Sequence, residues 1–194
     1  VFDNPHISGC AFHWGHAVWR KLQEKGLQTA YNQRDAVFKF YRKVFALPFL
    51  PAEHIPAAFE KLKGKVRTAT LDKWIMYISD KWISSTIWTI STWSVFGKTV
   101  RTNNDVEGWH SRLNRKTRKS ILQFYLMLTL LYKEAQMMPS QVKMVSEGKL
   151  TRHQTKQVRT MHGKLFRIWR KYTNKDISAN GFLRMRGSIY GPRS

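Results

Sequence analysis

The sequence predicts a mainly α fold with one short strand near its N-terminus. Three observations carry that expectation. Apolar residues recur three and four apart in four successive segments between residues 12 and 82, the spacing that lines one face of an α-helix. Hydrophobic residues make up 42% and aromatic residues 13% of the 194, with eight tryptophans, which is ample for a packed core and foreign to a disordered basic tail. The most apolar stretch, Ile121 to Tyr132, is 12 residues long against the roughly 20 needed to cross a bilayer, so it reads as a buried helix and not a membrane span.

Taken in order, Ile7 to Cys10 is the candidate strand, bounded by Pro5 and Gly9. From Phe12 to Lys25, Trp14, Val18 and Leu22 fall four apart on one helical face, and Gly26 stands where a left-handed C-terminal cap belongs. Asp35 to Leu47 repeats the pattern with Val37, Tyr41, Val44 and Phe45 and stops at Pro48. A third helix opens after Pro51 and carries Ile55, Phe59 and Leu62 before Gly64. A fourth, about Leu71 to Trp82, uses Leu71, Trp74, Ile75, Ile78 and Trp82. Residues 83–100 are β-branched and aromatic without alternation and are read as extended or irregular. The apolar helix from about Ile121 to Glu134 should end near Pro139, and a basic helix should cover about Leu150 to Tyr172, with Val158, Leu165, Phe166 and Trp169 apolar. From Asp176 onward the chain reads as a flexible tail. The division expected is a main body over residues 1–138 and a basic helical extension with its tail over 139–194.

Charge separates this chain from most soluble enzymes. It has 34 Lys and Arg against 12 Asp and Glu, a formal net charge of +22. Residues 1–100 hold 14 basic and 7 acidic side chains, whereas residues 101–194 hold 20 and 5. A field of that sign and size attracts polyanions and is the footprint of a nucleic-acid binder. A single cysteine excludes an internal disulfide. The opening VFDNPHISGCAFHW has neither the charged nor the apolar region of a signal peptide, and the chain reads as a piece of something longer.

The segment richest in chemistry is Arg101 to Lys116, RTNNDVEGWHSRLNRK. Thr102 or Asn103 suits the N-cap of a starting helix. On that helix Val106, Trp109 and Leu113 share a side expected to face the core, while Glu107, His110 and Asn114 share another. A carboxylate, an imidazole and an amide are thereby aligned beside the basic flank of Arg112, Arg115 and Lys116, as on a helix that presents a metal-binding carboxylate next to groups holding a phosphate backbone. From spacing alone, a solvated polar face without a ligand is the favoured reading. Cys10-x-x-His13, with His16 beyond, supplies three potential ligands where a structural zinc needs four, which favours a buried thiol and imidazole in the core.

Three runs, GCAFHWGHAVWRKLQEKGL (Gly9 to Leu27), FALPFLPAEHIPAAF (Phe45 to Phe59) and WSVFGKTVRTNNDVEGWHSRLN (Trp93 to Asn114), together resemble the C-terminal half of Mutator-like element (MULE) transposase domains. The likeness spans roughly Ile7 to Glu134. It implies the C-terminal portion of an RNase H-like α/β domain with a helical insertion, a DNA partner and a nuclear location. In that family two aspartates and a glutamate hold two divalent metal ions, Mg or Mn, for strand cleavage and joining. By resemblance Glu107 matches the glutamate, and Cys10 with His13 match the family's Cys-x-x-His signature. His110 would position the scissile phosphate or orient Glu107, and the sequence does not choose between them. Arg101, Asn103, Asn104, Arg112, Asn114, Arg115 and Lys116 would lie along the nucleic acid. Both family aspartates precede the signature, whereas nine residues precede Cys10 here and Asp3 is the sole acid among them. The metal would therefore bind only with the missing aspartates, because two ions about 3.5–4 Å apart need bridging carboxylates. The expectation is a fragment of a DDE-type transposase that does not cleave DNA alone. The alternative is a non-catalytic, basic nucleic-acid-binding module derived from one. Neither a membrane nor a small-molecule substrate is expected, and oligomerisation is left open.

Overall fold

The computed structural model describes residues 9–33, 37–102, 104–117, 123–149 and 155–189, and among these the secondary structure is helical, with no strand. The mainly α expectation holds in that form. The chain gathers into two compact units, Val1–Thr102 with Thr160–Ser194, and Asn103–Arg159. The division expected at residue 138 falls inside a long helix of the second unit.

In the first unit, α1 (Ala11–Glu24) buries the expected stripe of Trp14, Val18 and Leu22. Gly26 adopts φ +69° and donates its N–H to Gln23 O at 2.9 Å, while Leu27 N reaches Leu22 O at 3.1 Å, which closes the helix with a left-handed cap. A short helix that the pattern did not announce, α2 (Gln28–Asn32), buries Tyr31. Then α3 (Phe38–Phe45) buries Tyr41, Val44 and Phe45 and gives way to a 3₁₀ turn over Leu47–Phe49, where Pro48 cannot extend the α-helical ladder. Helix α4 (Ile55–Lys63) buries Ile55, Phe59 and Leu62. Helix α5 (Ala69–Ile78) starts at Thr68, whose Oγ1 accepts from Leu71 N at 3.3 Å, and loosens into a π turn over Ser79–Ile83.

Residues 84–100 are largely irregular, as expected, around the short helix α6 (Ile90–Trp93). Only Trp93, Ser94 and Val95 of this segment are buried, and they can be enclosed because polar groups there are spoken for. Ser94 Oγ donates to Leu50 O at 2.8 Å and Val95 N to Pro48 O at 2.7 Å. The candidate strand does not appear at Gly9 and Cys10, and Ile7 and Ser8 lie outside the described residues. Gly9 N instead donates to Thr92 O in α6 at 2.6 Å and Ala11 N to Arg101 O at 2.9 Å, two separate bonds that make no ladder. A Cβ on Gly9 would stand 2.8 Å from Trp93 Cα, so only glycine allows this approach.

The second unit holds α7 (Asn104–Thr117) and α8 (Phe124–Ser146). The apolar run was expected to be buried and to stop near Pro139, and both expectations are corrected. Helix α8 passes through Pro139 to Ser146, and Phe124, Tyr125, Leu126, Met127, Leu128 and Tyr132 are exposed, with Tyr125 at 80%. A helix apolar on several sides needs several neighbours to cover it.

The chain continues into α9 (Lys156–Thr173), which buries Leu165, Ile168 and Trp169 and leaves Val158 and Phe166 exposed. The tail expected to be flexible contains α10 (Ala179–Ile189), which packs on α3 and buries Phe182, Leu183, Arg186 and Gly187. Basic residues and a glycine made this segment look like a solvated end. The glycine is a packing device: a Cβ at Gly187 would lie 2.9 Å from Arg42 O, and the Gly187 carbonyl accepts from Arg42 Nε.

Gly187→Ala should therefore destabilise the chain by about 1–3 kcal/mol, the usual cost of overpacking against a rigid neighbour. Gly163→Ala, in α9 with nothing within 4 Å of the added methyl, should stabilise it by about 0.5–1 kcal/mol. Urea unfolding followed by circular dichroism measures both. Equal effects would show that α10 does not sit on α3 in solution.

Candidate nucleic-acid interface

Helix α7 begins one residue after the expected cap position and runs the length that its polar periodicity allows. Asn103 lies outside the described residues, and the side chains of Asn104 and Asp105 do too. Of the apolar side, Trp109 and Leu113 are half-buried, but Val106 is 53% exposed, so this face is covered only along its second half. Glu107, His110 and Asn114 are exposed, as are Arg112, Arg115 and Lys116. The His110 ring rests against Trp109, with centroids 5.0 Å apart.

The charge on this helix is organised by a residue that the pattern did not single out. Glu134 of α8 is buried, and its two carboxylate oxygens are shared by three donors from α7. Arg112 Nη2 reaches Oε2 at 2.6 Å, Trp109 Nε1 reaches the same oxygen at 3.3 Å, and Lys116 Nζ bonds Oε1. Arg112 and Lys116 are four apart, so they project from one face and repel each other unless an anion stands between them. Glu134 is that anion. The hydrogen bond from Lys116, helped by the charge of Arg112, holds its carboxyl below the ordinary carboxylate range against the opposing effect of burial. Two of the expected phosphate-binding cations are thus already paired within the second unit, while Arg115 has no ion-pair partner among the described residues.

Arg101 belongs to the first unit and is half-buried there. Its Nη1 donates to Lys98 O at 2.9 Å and Thr99 O at 3.2 Å, and the guanidinium lies 5.7 Å from the Trp169 ring centroid and 5.9 Å from that of Phe166. Its donors brace its own irregular loop, and its ring contacts hold that loop onto α9. Cys10 is the half-buried N-cap residue of α1, but His13 is exposed and packs edge-on against Phe12 at 5.7 Å, so the expectation of an imidazole buried with the thiol is corrected. The alternation of α1 puts residue 14 inward, which turns residue 13 outward.

Among the described residues, no three His, Cys, Asp or Glu side chains come together in a way that could hold a metal. The described residues therefore do not by themselves make a two-metal centre around Glu107. No described helix is long and apolar enough to cross a membrane. Elsewhere the charge is displayed openly. Along α9, Lys164, Arg167, Arg170 and Lys171 are exposed on the side away from Leu165, Ile168 and Trp169.

Comparison with protein-family models, with curated proteins and with solved structures finds no match to this chain.

The Glu134 arrangement has a defined pH signature. Its folded-state pKa is depressed, so the stability it contributes is present above the unfolded carboxylate pKa of about 4.3 and is lost as pH falls through the lower folded value. The urea midpoint of Glu134→Gln should lie below that of the unmodified chain at neutral pH, and the gap should close on acidification through that window. A gap of the same size at pH 7 and at pH 2 would rule out the carboxylate charge as the source.

Proposed function

We propose that this chain is a nucleic-acid-binding piece of a DDE-type transposase catalytic domain, similar to the MULE family, which holds the phosphate backbone through its basic surface and does not cleave it alone. The observation that carries the reading is the excess of displayed cations. With 34 Lys and Arg against 12 Asp and Glu, neutralisation from within is impossible, and rows such as Lys164, Arg167, Arg170 and Lys171 stand exposed on a helix without an acid. Such a field steers polyanions and contacts phosphates without reading bases. The MULE-like runs supply the class of polyanion, DNA, and with it a nuclear place of action.

Catalysis is assigned only by descent. Glu107 is the residue that matches the family's glutamate, and two further carboxylates would have to stand beside it before a divalent metal pair could be held. The alternative, a module that binds without any catalytic role, is favoured by the exposure of Glu107 and by the lack, among the described residues, of any group of three side chains that could hold a metal. Of the seven residues expected along the nucleic acid, Arg115 keeps that assignment most directly. Arg112 and Lys116 keep it as a pair whose charge Glu134 half offsets, and Arg101 serves the loop that it ties down.

Affinity for a duplex of arbitrary sequence should fall with salt, with a log–log slope of about −0.9 for each phosphate engaged. A slope near zero would point to an uncharged partner. In the same preparation, supplied with Mg or Mn, a supercoiled plasmid should remain intact. Nicking that disappears in Glu107→Gln would overturn the non-cleaving part of the proposal.

A further inference from the structure

The α3–α10 seam in the first unit carries a cluster of cations that no part of the reading above uses. Lys43, near the end of α3, is half-buried, and its Nζ donates to Asn180 Oδ1 at the start of α10, at 2.9 Å. Arg184 lies four residues after Asn180, on the same face of α10. Lys65 follows Gly64, the residue that ends α4, and its charge and that of Arg184 both bear on Lys43. Burial first, and then these two neighbours, holds the Lys43 ammonium below the ordinary lysine range. No carboxylate forms an ion pair with Lys43, Lys65 or Arg184 among the described residues.

Two like charges beside one partly buried ammonium cost free energy unless an anion joins them. Elsewhere in this protein crowded cations do receive one: Arg112 and Lys116 share Glu134, and Lys143 and Lys149 share Glu147. Here the group that meets Lys43 is a neutral amide. Because Oδ1 of Asn180 accepts from Lys43, the NH₂ of that amide is left as a donor, which adds a directional hydrogen bond to the cationic groups around it. An ammonium pair, a guanidinium and an amide donor suit a compact anion with several oxygens, which is the chemistry of a phosphate.

We propose that Lys43, Lys65, Asn180 and Arg184 form a phosphate-binding site, occupied by a backbone phosphodiester of bound nucleic acid. The assignment to nucleic acid rests on the function proposed above, whereas the affinity for phosphate does not. The site places a backbone contact on α10, far in sequence from the Arg101–Lys116 segment. It also gives a reason for a helix with Arg184 at the very end of the chain to be docked on α3 instead of left free.

The test is a salt series of duplex binding with the double variant Lys65→Gln/Arg184→Gln, both positions being exposed. Lys143→Gln/Lys149→Gln serves as a control that removes the same formal charge where Glu147 already offsets it. The slope of log affinity against log salt should shrink by at least about 0.9, the increment of one phosphate contact, in the first variant and stay put in the control. Should the double variant lose helicity, Arg184→Gln alone carries the same comparison. A parallel arm titrates inorganic phosphate at constant ionic strength and follows the melting temperature. Equal slopes and no difference in the phosphate response overturn the site. A phosphate-dependent rise confined to the unmodified chain, with equal slopes, overturns the assignment to nucleic acid and leaves a free phosphate as the ligand. An equal loss of slope in the control overturns the site in favour of a general charge effect. If the unmodified chain fails to bind duplex even at low salt, the function proposed above falls, and the phosphate arm decides the site by itself.

Discussion

A turn that is buried must find partners for its carbonyls inside the protein, and in the first unit the turn from Leu47 to Pro51 imposes that condition on everything around it. Leu47, Pro48, Phe49, Leu50 and Pro51 are all buried. Their backbone cannot turn to water, and each unpaired group would cost about 1–3 kcal/mol. Three donors from two distant pieces of chain satisfy it. Val95 N binds Pro48 O, Trp169 Nε1 binds Phe49 O at 2.9 Å, and Ser94 Oγ binds Leu50 O. The Arg186 guanidinium then lies 3.7 Å from the Phe49 ring centroid. The irregular segment, α9 and α10 are thereby fixed to one turn, which is why Ser94 and Val95 can be buried outside any helix.

Aromatic stacking closes the other side of the same unit. Trp14 lies flat on Trp93, with centroids 4.7 Å apart and planes within 7°, and Trp82 meets Trp14 edge-on at 5.0 Å. Trp93 Nε1 donates to Trp82 O at 3.3 Å, and Trp74 Nε1 to Val18 O at 3.0 Å. Such pairs are worth roughly 0.5–1.5 kcal/mol each beyond the area they bury. A chain of net charge +22 needs that surplus, since self-repulsion works against the compact state.

Local patterning made α1, α3, α4 and α5 legible, because each carries its own apolar stripe and the first three carry a stop signal at Gly26, Pro48 or Gly64; α5, which has none, was expected to run to Trp82 and ends at Ile78. The tail was not legible for the opposite reason. Within residues 176–189 the apolar residues Ile177, Phe182, Leu183, Met185 and Ile189 are broken up by two arginines and small residues, and what makes Phe182 and Leu183 core is the packing on α3, where Gly187 meets Arg42. The run 121–132 failed differently. Hydrophobicity reports a demand for cover, and whether the cover exists depends on neighbours that the run does not encode. In the candidate interface, the face bearing Arg112 and Lys116 could be read from their spacing, including its need for an anion. That the anion is Glu134, 18 and 22 residues away on another helix, is a tertiary fact without a local signal.

The ion pairs also show how this protein rations its few acids. Glu24 is reached by Lys21 and Lys25, Glu134 by Arg112 and Lys116, and Glu147 by Lys143 and Lys149, so each carboxylate that pairs among the described residues holds two cations. Even if all 12 acids did the same, 10 of the 34 Lys and Arg would have no carboxylate. The exposed pairs at Glu24 and Glu147 add little stability, about 0–1 kcal/mol. Their effect is to mark which cations are spent internally. The rest, on the outer side of α9, at Arg115 and along the α3–α10 seam, have no carboxylate partner among the described residues. A surface built that way is mildly unstable in isolation and becomes more stable when a polyanion binds, since any ligand that prefers the folded state adds its binding free energy to folding.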